Sequence, residues 1–189
     1  MSAVDFERRS TSQARRRVLD TATDLFYAEG VHAVGIDRII AEARVAKATF
    51  YNHFPSKDEL VRAYIEEQDH LGREAVARLP DQPPREKVLA IFDRIAEAAR
   101  QPGYRGCPFL NAAAEYPDPA SPVRKAVDEH RRWNRDLLRQ LLATDGHSDP
   151  ARTADILVVI GDGLLVSGDL DDATGLAALA RDAVARVLG

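Results

Sequence analysis

Apolar residues recur at intervals of three and four along most of this chain, and that spacing is typical of amphipathic helices. The stripe formed by Val18, Ala22, Leu25 and Phe26 is one example. Sustained alternation of apolar and polar residues, which would indicate strands, is nearly absent. The pattern therefore predicts an all-α chain of about nine helices.

Glycine, proline and capping residues set the expected helix ends in the first part of the chain. Gly30 is a suitable stop for the first helix, and Pro55 ends the third. Ser56 is followed three residues later by Glu59, which is the spacing of a capping box. The expected helices lie at about 11–29, 36–43, 47–53 and 56–79.

Proline punctuates the rest of the chain as well. A proline-rich break at 80–84 follows the fourth helix, and Ser121-Pro122 and Asp149-Pro150 each place a capping residue before a proline at the first helical position. The later helices are expected at about 88–99, 109–115, 121–141, 150–168 and 172–188.

These elements divide into two predicted domains. Residues 1–55 form an N-terminal unit of three helices, and residues 56–189 form a helical C-terminal domain. The helix from 56 to about 79 is long enough to leave the first domain and enter the second, so it is expected to link them.

Composition narrows the class of protein. Of the 189 residues 45% are hydrophobic, so a packed core is expected. The apolar runs are too short to span a bilayer, and charged residues rather than an apolar leader follow Met1. A single cysteine, Cys107, excludes an internal disulfide and makes a reducing, cytoplasmic setting the default expectation.

The net charge of −4 argues mildly against binding to nucleic acid, so the distribution of charge matters. Residues 1–62 hold ten basic and nine acidic side chains, whereas the remainder holds sixteen and twenty-one. The positive charges of the first part also cluster, at Arg15-Arg16-Arg17 and at Lys47 and Lys57. Phosphate binding depends on such local charge more than on the total.

The third predicted helix has one apolar side and one small or hydrogen-bonding side. With successive residues about 100° apart, Phe50 and Phe54 point inward together, while Ala48 and Asn52 point away. Asparagine can make two hydrogen bonds to adenine, and threonine can contact a base through its methyl or hydroxyl group. A short helix pair of this kind is the right size to present its second helix to a DNA groove.

The run from Val45 to Leu60, VAKATFYNHFPSKDEL, resembles the DNA-binding signature of the TetR family of bacterial transcriptional regulators. The resemblance covers about residues 14–66, and Leu25, Phe26 and Gly30 precede the run at the family's spacing. Beyond residue 66 it rests on the number and order of helices. It implies an N-terminal helix-turn-helix unit that binds double-stranded DNA and a C-terminal domain for ligand binding and dimerisation.

Carried over by position, the resemblance implies a set of DNA contacts on and around the third helix. Lys57 is expected on phosphate, where the Ser56-capped helix start would assist it. His53 is the weakest of the set, because it lies near the inner edge of the helix and could instead pack against the first helix. The remaining expected contacts are Lys47, Ala48, Thr49, Tyr51 and Asn52.

Three residues depart from the family's pattern. Arg44 stands where glycine is frequent, so a left-handed backbone there would cost roughly 1 kcal/mol, although Arg44 could itself contact phosphate. Ala46 and Gly35 replace hydroxyl residues at two helix starts, and Gly35 thereby loses a phosphate donor at a DNA-facing position. In the basic run, Arg17 could contact phosphate or belong to a merely solvated surface.

The last two helices suit a dimer interface, because their stripes are apolar and contain small residues that permit close helix approach. The same stripes could be ordinary core within one chain. The expected interface residues are Ile156, Ile160, Gly163, Leu164, Ser167, Leu176, Leu179, Ala183 and Val187.

Aromatic and polar residues of the middle helices could line an effector pocket. His130 could equally be a satisfied interior histidine. Cys107, expected at a helix N-terminus, could be a redox sensor or an inert buried thiol. The expected pocket residues are Phe92, Tyr104, Cys107, Phe109, Asn111, Glu115, His130 and Trp133.

Enzymatic functions find no support in the sequence. It contains no Gly-x-Ser-x-Gly elbow, glycine-rich phosphate loop or His-Glu-x-x-His motif, and its histidines are too scattered for a structural zinc site. We therefore expect no catalysis, cofactor or metal. The sequence favours a homodimeric repressor that binds a palindromic operator and is released by a small-molecule effector. The alternative is a small-molecule-binding helical dimer without sequence-specific DNA binding.

Overall fold

A computed structural model of the chain describes the backbone of residues 3–189 and the side chains of residues 13–189. Within these ranges the regular elements are nine α-helices and no strand. The helices are α1 (Ala3–Glu29), α2 (Ile36–Ala43), α3 (Lys47–His53), α4 (Lys57–Ala77), α5 (Pro84–Ala98), α6 (Pro108–Glu115), α7 (Pro122–Thr144), α8 (Pro150–Leu170) and α9 (Leu176–Leu188).

The all-α prediction is confirmed, and the bounds of α2 and α3 agree with those expected. The start of α9 differs, because a turn occupies residues 172–175. There the Asp172 carboxylate accepts the Thr174 N–H at 2.8 Å, and Gly175 is left-handed with φ +86°. The helix therefore begins only at Leu176.

Predicted caps stabilise three helix starts, and at α7 the Val123 N–H donates to Ser121 Oγ at 3.2 Å. The Glu59 N–H donates to Ser56 Oγ at 3.2 Å, and the Arg152 N–H donates to Asp149 Oδ1 at 3.1 Å. The Glu59 carboxylate binds Arg62 on the same helix. The start of α4 thus has the serine half of a capping box.

The first of two compact units comprises the residues up to Gln68 together with Asn111–Val127. In it α1, α2 and α3 pack on one another, and Phe26 meets Tyr64 of α4 edge-on with ring centroids 5.8 Å apart. The unit includes the first half of α4 and a segment more than forty residues further along, so its limits differ from the boundary expected at residue 55. Its fully buried large side chains include Val18, Val34, Ile39, Phe50, Leu60, Val61 and Ile65.

The second unit comprises Asp69–Leu110 and Asp128–Gly189. Helices α5, α8 and α9 pack pairwise around its core. Arg85 at the start of α5 donates to the carbonyls of Leu188 and Gly189, which ties the end of the chain to this helix. The core includes Val88, Phe92, Leu138, Leu142, Leu157, Ala180 and Val184.

Gly168 on α8 allows a close approach in this core. A Cβ at this position would lie 2.5 Å from Ala99 Cβ and 3.2 Å from the Tyr104 ring. Gly72 on α4 is also within a helix, yet a Cβ there would meet nothing within 4 Å. A substitution by alanine at Gly168 therefore tests the close packing, whereas the same substitution at Gly72 tests helix propensity alone.

We expect Gly168→Ala to lower the free energy of unfolding by about 1–3 kcal/mol, because the added methyl group overpacks the core. Gly72→Ala should raise it by up to about 1 kcal/mol, because alanine favours the helix. Urea denaturation followed by circular dichroism measures both. Equal effects of the two substitutions would contradict the close packing at Gly168.

Candidate nucleic-acid interface

Helix α3 is anchored by two phenylalanines and presents a small polar face. Phe50 is fully buried and Phe54 is 2% exposed, whereas Tyr51 is 41% exposed. Ala48 and Asn52 are also exposed, and Thr49 is half-buried. The face of α3 that the helical period predicts to point outward is therefore the face that is exposed to solvent.

The three consecutive arginines of α1 have different surroundings. The Arg15 guanidinium lies over the Phe54 ring, 5.1 Å from its centroid, which is a cation–π contact. Arg16 binds Asp20 and Glu67, at 2.7 and 2.6 Å. Arg17 is exposed, and no ion pair among residues 13–189 includes it. Of the three, Arg17 is thus the cation most available to phosphate.

The turn between α2 and α3 contains the left-handed residue that the sequence suggested. Arg44 has φ 53° and ψ 50°, and its N–H donates to the Ala41 carbonyl at 3.2 Å. It is the one non-glycine residue of the described chain with positive φ. A left-handed arginine costs roughly 1 kcal/mol relative to glycine. The side chain is exposed beside α3.

The first turns of α2 and α3 lack side-chain caps. Gly35 and Ala46 occupy the N-cap positions, and neither provides an oxygen for the N–H groups that follow. Lys47 Nζ lies 3.1 Å from Asp37 Oδ1, and both side chains are largely exposed. This hydrogen bond raises the pKa of Lys47, so the lysine is charged and paired in the free protein.

His53 and Lys57 are only partly accessible. Nε2 of His53 is buried and has no hydrogen-bond partner among the described residues, so this nitrogen cannot reach a base in the free protein. Lys57 is half-buried, and burial lowers its pKa while the carboxylates of Glu115 and Asp58 oppose the shift. His53 therefore fits packing better than DNA contact.

Glu115 was expected to line an effector pocket, and the structure corrects that expectation. Its carboxylate lies in the first unit, where Oε1 accepts the Val31 N–H at 2.7 Å and Oε2 accepts the His32 N–H at 2.6 Å. The side chain of His32 also contacts Glu115, with Nδ1 lying 2.9 Å from Oε2. A Cβ at Gly30 would come within 3.3 Å of Oε1. Glu115 thus binds the backbone of the turn that connects α1 and α2.

Tyr116 extends this arrangement to α4. Its ring stacks on His32 with centroids 5.4 Å apart, and its hydroxyl donates to Asp58 Oδ1 at 3.1 Å. Burial raises the pKa of Tyr116, and the hydrogen bond to Asp58 raises it further. We call Glu115 and Tyr116 the brace. No local pattern in the sequence indicated it, because its partners lie far apart along the chain.

The remaining expected pocket residues lie in different parts of the described chain. Phe92 is 1% exposed and borders a space of about 40 Å³, which is about the size of one water molecule. Tyr104 donates its hydroxyl to the Leu165 carbonyl at 3.2 Å. Asn111 is exposed and belongs to the first unit. Phe92 and Tyr104 are therefore core residues of the second unit.

Phe109, His130 and Trp133 form a filled cluster. The rings of Phe109 and His130 are parallel, with centroids 3.5 Å apart, and His130 Nδ1 lies 2.8 Å from Asp69 Oδ1. The Arg73 guanidinium covers the Trp133 ring at 4.6 Å. Burial lowers the pKa of His130 despite the nearby Asp69 carboxylate, so its ring is neutral at pH 7. His130 is a satisfied interior histidine, the alternative that its sequence left open.

Cys107 has the properties of an unreactive thiol. Burial raises its pKa, and the hydrogen bonds from the backbone of Leu110 and Phe109 offset this only in part. The nucleophilic thiolate is therefore scarce at neutral pH. This favours the inert alternative over the redox sensor.

The apolar faces of α8 and α9 are divided between core and solvent. Leu164 and Leu176, both expected at a dimer interface, are 6% exposed in the single chain and belong to its core. Ile160, Ser167, Ala183 and Val187 are half-buried, and Gly163 is exposed. The large exposed apolar residues of these two helices are Ile156, Val159, Val166, Leu170 and Leu179.

Two family models match the chain. One, described as bacterial regulatory proteins of the tetR family, covers residues 18–64, and the other, a tetracyclin repressor-like C-terminal domain, covers residues 84–184. The chain belongs to the TetR family of transcriptional regulators. Regulators of this family bind DNA and act as dimers, and they are not enzymes.

Solved structures and curated proteins agree with this assignment. SCO4454, a TetR-family transcriptional regulator from Streptomyces coelicolor, is 46% identical, with a TM-score of 0.89 over 94% of this chain and 95% of that one. The HTH-type transcriptional regulator LmrA of Bacillus subtilis is 26% identical over 88% of this chain and 93% of its own length. YjdC of Escherichia coli, also an HTH-type transcriptional regulator, is 24% identical over 80% and 81%.

Among the described residues of this TetR-family chain, no helix combines the length and the apolarity that crossing a bilayer requires.

We expect Glu115→Ala to lower the free energy of unfolding by about 2–4 kcal/mol, because two backbone N–H groups lose a charged acceptor. Urea denaturation measures this. Glu129→Ala, which removes an exposed carboxylate of α7, should change it by less than about 0.5 kcal/mol. A loss of stability no greater than that of the control would contradict the brace.

The effect of Glu115 should depend on pH. Burial raises its pKa, but the hydrogen bonds from His32 and Val31 outweigh this and hold the pKa below the ordinary 4.5. The folded protein therefore stabilises the charged form of Glu115. This contribution to the free energy of unfolding is fully present above pH 4.5, and it is lost as the pH falls through the lower pKa that Glu115 has in the folded protein. The stability difference between the protein and Glu115→Gln should shrink accordingly in acid.

Proposed function

We propose that this chain is a repressor that binds a palindromic operator as a homodimer and releases it when a small-molecule effector binds. The observation that carries the proposal is the division of α3 between buried Phe50 and Phe54 and an outward face free of large aliphatic residues. A helix held this way can enter the major groove without losing its packing.

The outward face supplies groups that distinguish bases. Asn52 is exposed and can bind adenine through two hydrogen bonds, and Thr49 can contact a thymine methyl group. Tyr51, which also meets Phe50 edge-on at 5.3 Å, is positioned to reach a phosphate or sugar. Ala48 lets the backbone approach the groove closely.

Basic residues around α3 provide the phosphate contacts of this proposal. Lys47 exchanges its exposed Asp37 partner for phosphate, and Lys57 and Arg44 flank the helix. Arg17 reaches phosphate or the minor groove from α1. Reading chromosomal DNA places the protein in the cytoplasm.

Dimer formation uses the exposed apolar residues of α8 and α9. Val159 and Leu170 are 71% and 74% exposed in the single chain, which is costly for a surface facing only water. With Ile156, Val166 and Leu179 they offer a face that a second copy would cover. The two copies of α3 would then lie about 34–36 Å apart, one turn of DNA.

The proposed response to the effector runs along α4. This helix begins in the first unit and ends in the second, so a shift at its far end reaches the helix pair. An effector that favours the shifted state changes the spacing of the two recognition helices and weakens operator binding.

A helical dimer that binds a small molecule but not DNA is the competing function. The missing caps at Gly35 and Ala46 and the pairing of Lys47 with Asp37 favour it, since each weakens the DNA-facing surface. A measurement of binding to operator DNA distinguishes this function from that of a repressor.

The DNA proposal predicts that Tyr51→Ala weakens binding roughly tenfold on palindromes from upstream of the gene, with an unchanged circular dichroism spectrum. Lys47→Ala should reduce the slope of binding against salt by about one, whereas Arg132→Ala on α7 should leave it unchanged. Binding of the unmodified protein that ignores salt, or that prefers no sequence, would contradict the regulator.

The dimer proposal predicts that Val159→Asp produces monomers and weakens operator binding, because the charge would be buried between copies. Leu71→Asp introduces the same charge at an exposed leucine of α4, 48% exposed, and should leave the dimer intact. Analytical ultracentrifugation separates the two variants. Retention of the dimer by Val159→Asp would place the interface elsewhere.

A further inference from the structure

A cleft in the second unit lies between the end of α4, the start of α5 and the second half of α7. Its volume is about 360 Å³, within the range of sites for small organic ligands. None of its residues was among those that the sequence suggested for an effector. The lining includes Val76 and Ala77 of α4, Lys87 and Ile91 of α5, and Leu137 and Leu141 of α7.

The charge carried by the lining of this cleft is positive. Lys87 is the charged residue of the set, and no carboxylate belongs to it, although the chain as a whole is acidic. The Lys87 side chain is 31% exposed, and its Nζ lies 3.4 Å from Oδ1 of Asp81, which is fully exposed. An exposed ion pair of this length contributes little, so Lys87 can exchange Asp81 for another anion.

The polar residues of the cleft reinforce the role of Lys87. Thr144 already donates its hydroxyl to the Gln140 carbonyl at 2.9 Å, which leaves its oxygen as an acceptor. The Gln140 amide is a neutral donor, so the ammonium of Lys87 is the one cationic donor of the lining. The apolar side chains of Ile91, Leu137 and Leu141 provide the surface for an uncharged body.

We propose that this cleft binds a small amphipathic organic anion, with its apolar body between α5 and α7 and its acidic head on Lys87. The proposal deepens the proposed function, because it names the chemical class of the effector and the site that takes it.

The place of the cleft connects it to regulation. Val76 and Ala77 lie in the last turn of α4, whose first turn begins at Lys57 in the other unit. A bound anion adds contacts to the end of this helix and thereby favours the arrangement of α4 in which those contacts form. The space beside Phe92 is only about 40 Å³. Two other spaces, of about 580 and 340 Å³, have carboxylates in their linings, Asp136 in the first and Asp171 and Asp172 in the second, and these disfavour an anion.

Two related fluorescent probes test the charge requirement. Anilinonaphthalenesulfonate carries a sulfonate on an apolar body, and phenylnaphthylamine has the same ring system without the charge. We expect Lys87→Met, which keeps the aliphatic stem, to weaken binding of the anionic probe roughly tenfold or more and to change binding of the neutral probe little. Lys125→Met, which removes an exposed lysine of α7, should change neither.

Two further variants test the location. Ala77 and Gln140 are exposed at the edge of the cleft, so Ala77→Trp and Gln140→Trp fill it without disturbing the core. Both probes should lose affinity in these variants. Anionic binding that survives Lys87→Met, or probe binding that survives both tryptophans, would overturn the site.

Operator binding measured in the same preparations separates this proposal from the one before it. The anionic probe should lower operator affinity of the unmodified protein and leave that of Lys87→Met unchanged. Probe binding without any change in operator affinity would refute the effector role of the cleft. Loss of all operator binding would refute the regulator, whereas the probe titrations would still decide whether the cleft binds anions.

Discussion

The DNA-facing part of this protein depends on the carboxylate of Glu115. Two backbone N–H groups of the turn between α1 and α2 donate to it across 84 and 83 residues of sequence. Without that acceptor, the N–H groups of Val31 and His32 would need other partners, and the turn between α1 and α2 would lose two hydrogen bonds to a charged group. The helix-turn-helix is therefore completed by a segment distant in sequence, Asn111–Val127.

Helices α2 and α3 are destabilised by their local sequence and stabilised by the burial of their apolar side chains. Arg44 is left-handed, and the N-termini of both helices lack side-chain caps, so neither short helix is favoured by its own sequence. Burial of Ile39, Phe50 and Phe54 supplies the opposing stabilisation, since each aromatic or aliphatic side chain contributes about 1.5–3 kcal/mol when fully buried. Packing rather than propensity thus holds the recognition helix in place.

The sequence was sufficient where structure is set by neighbours along the chain. Gly30, Ser56 and Asp149 mark helix ends by local chemistry, and the buried side of α3 follows from its period. Periodicity cannot tell whether an apolar stripe meets its own core or a second chain, so it left both alternatives open for Leu164 and Leu176, which are buried within the single chain. It also cannot pair residues far apart, which is why Glu115 was assigned to a pocket and the cleft beside Lys87 was missed.

The ion pair between Lys47 and Asp37 bears on the strength of the proposed phosphate contact. Asp37 holds the ammonium group at 3.1 Å and thus acts as a tethered substitute for phosphate. DNA that used Lys47 for a phosphate contact would have to displace Asp37, and an ion pair this exposed contributes at most about 1 kcal/mol. That cost would be equal for random DNA and for an operator, because both offer the same phosphates. The aspartate would therefore weaken binding to all DNA alike, and discrimination between sequences would depend on the base contacts of α3.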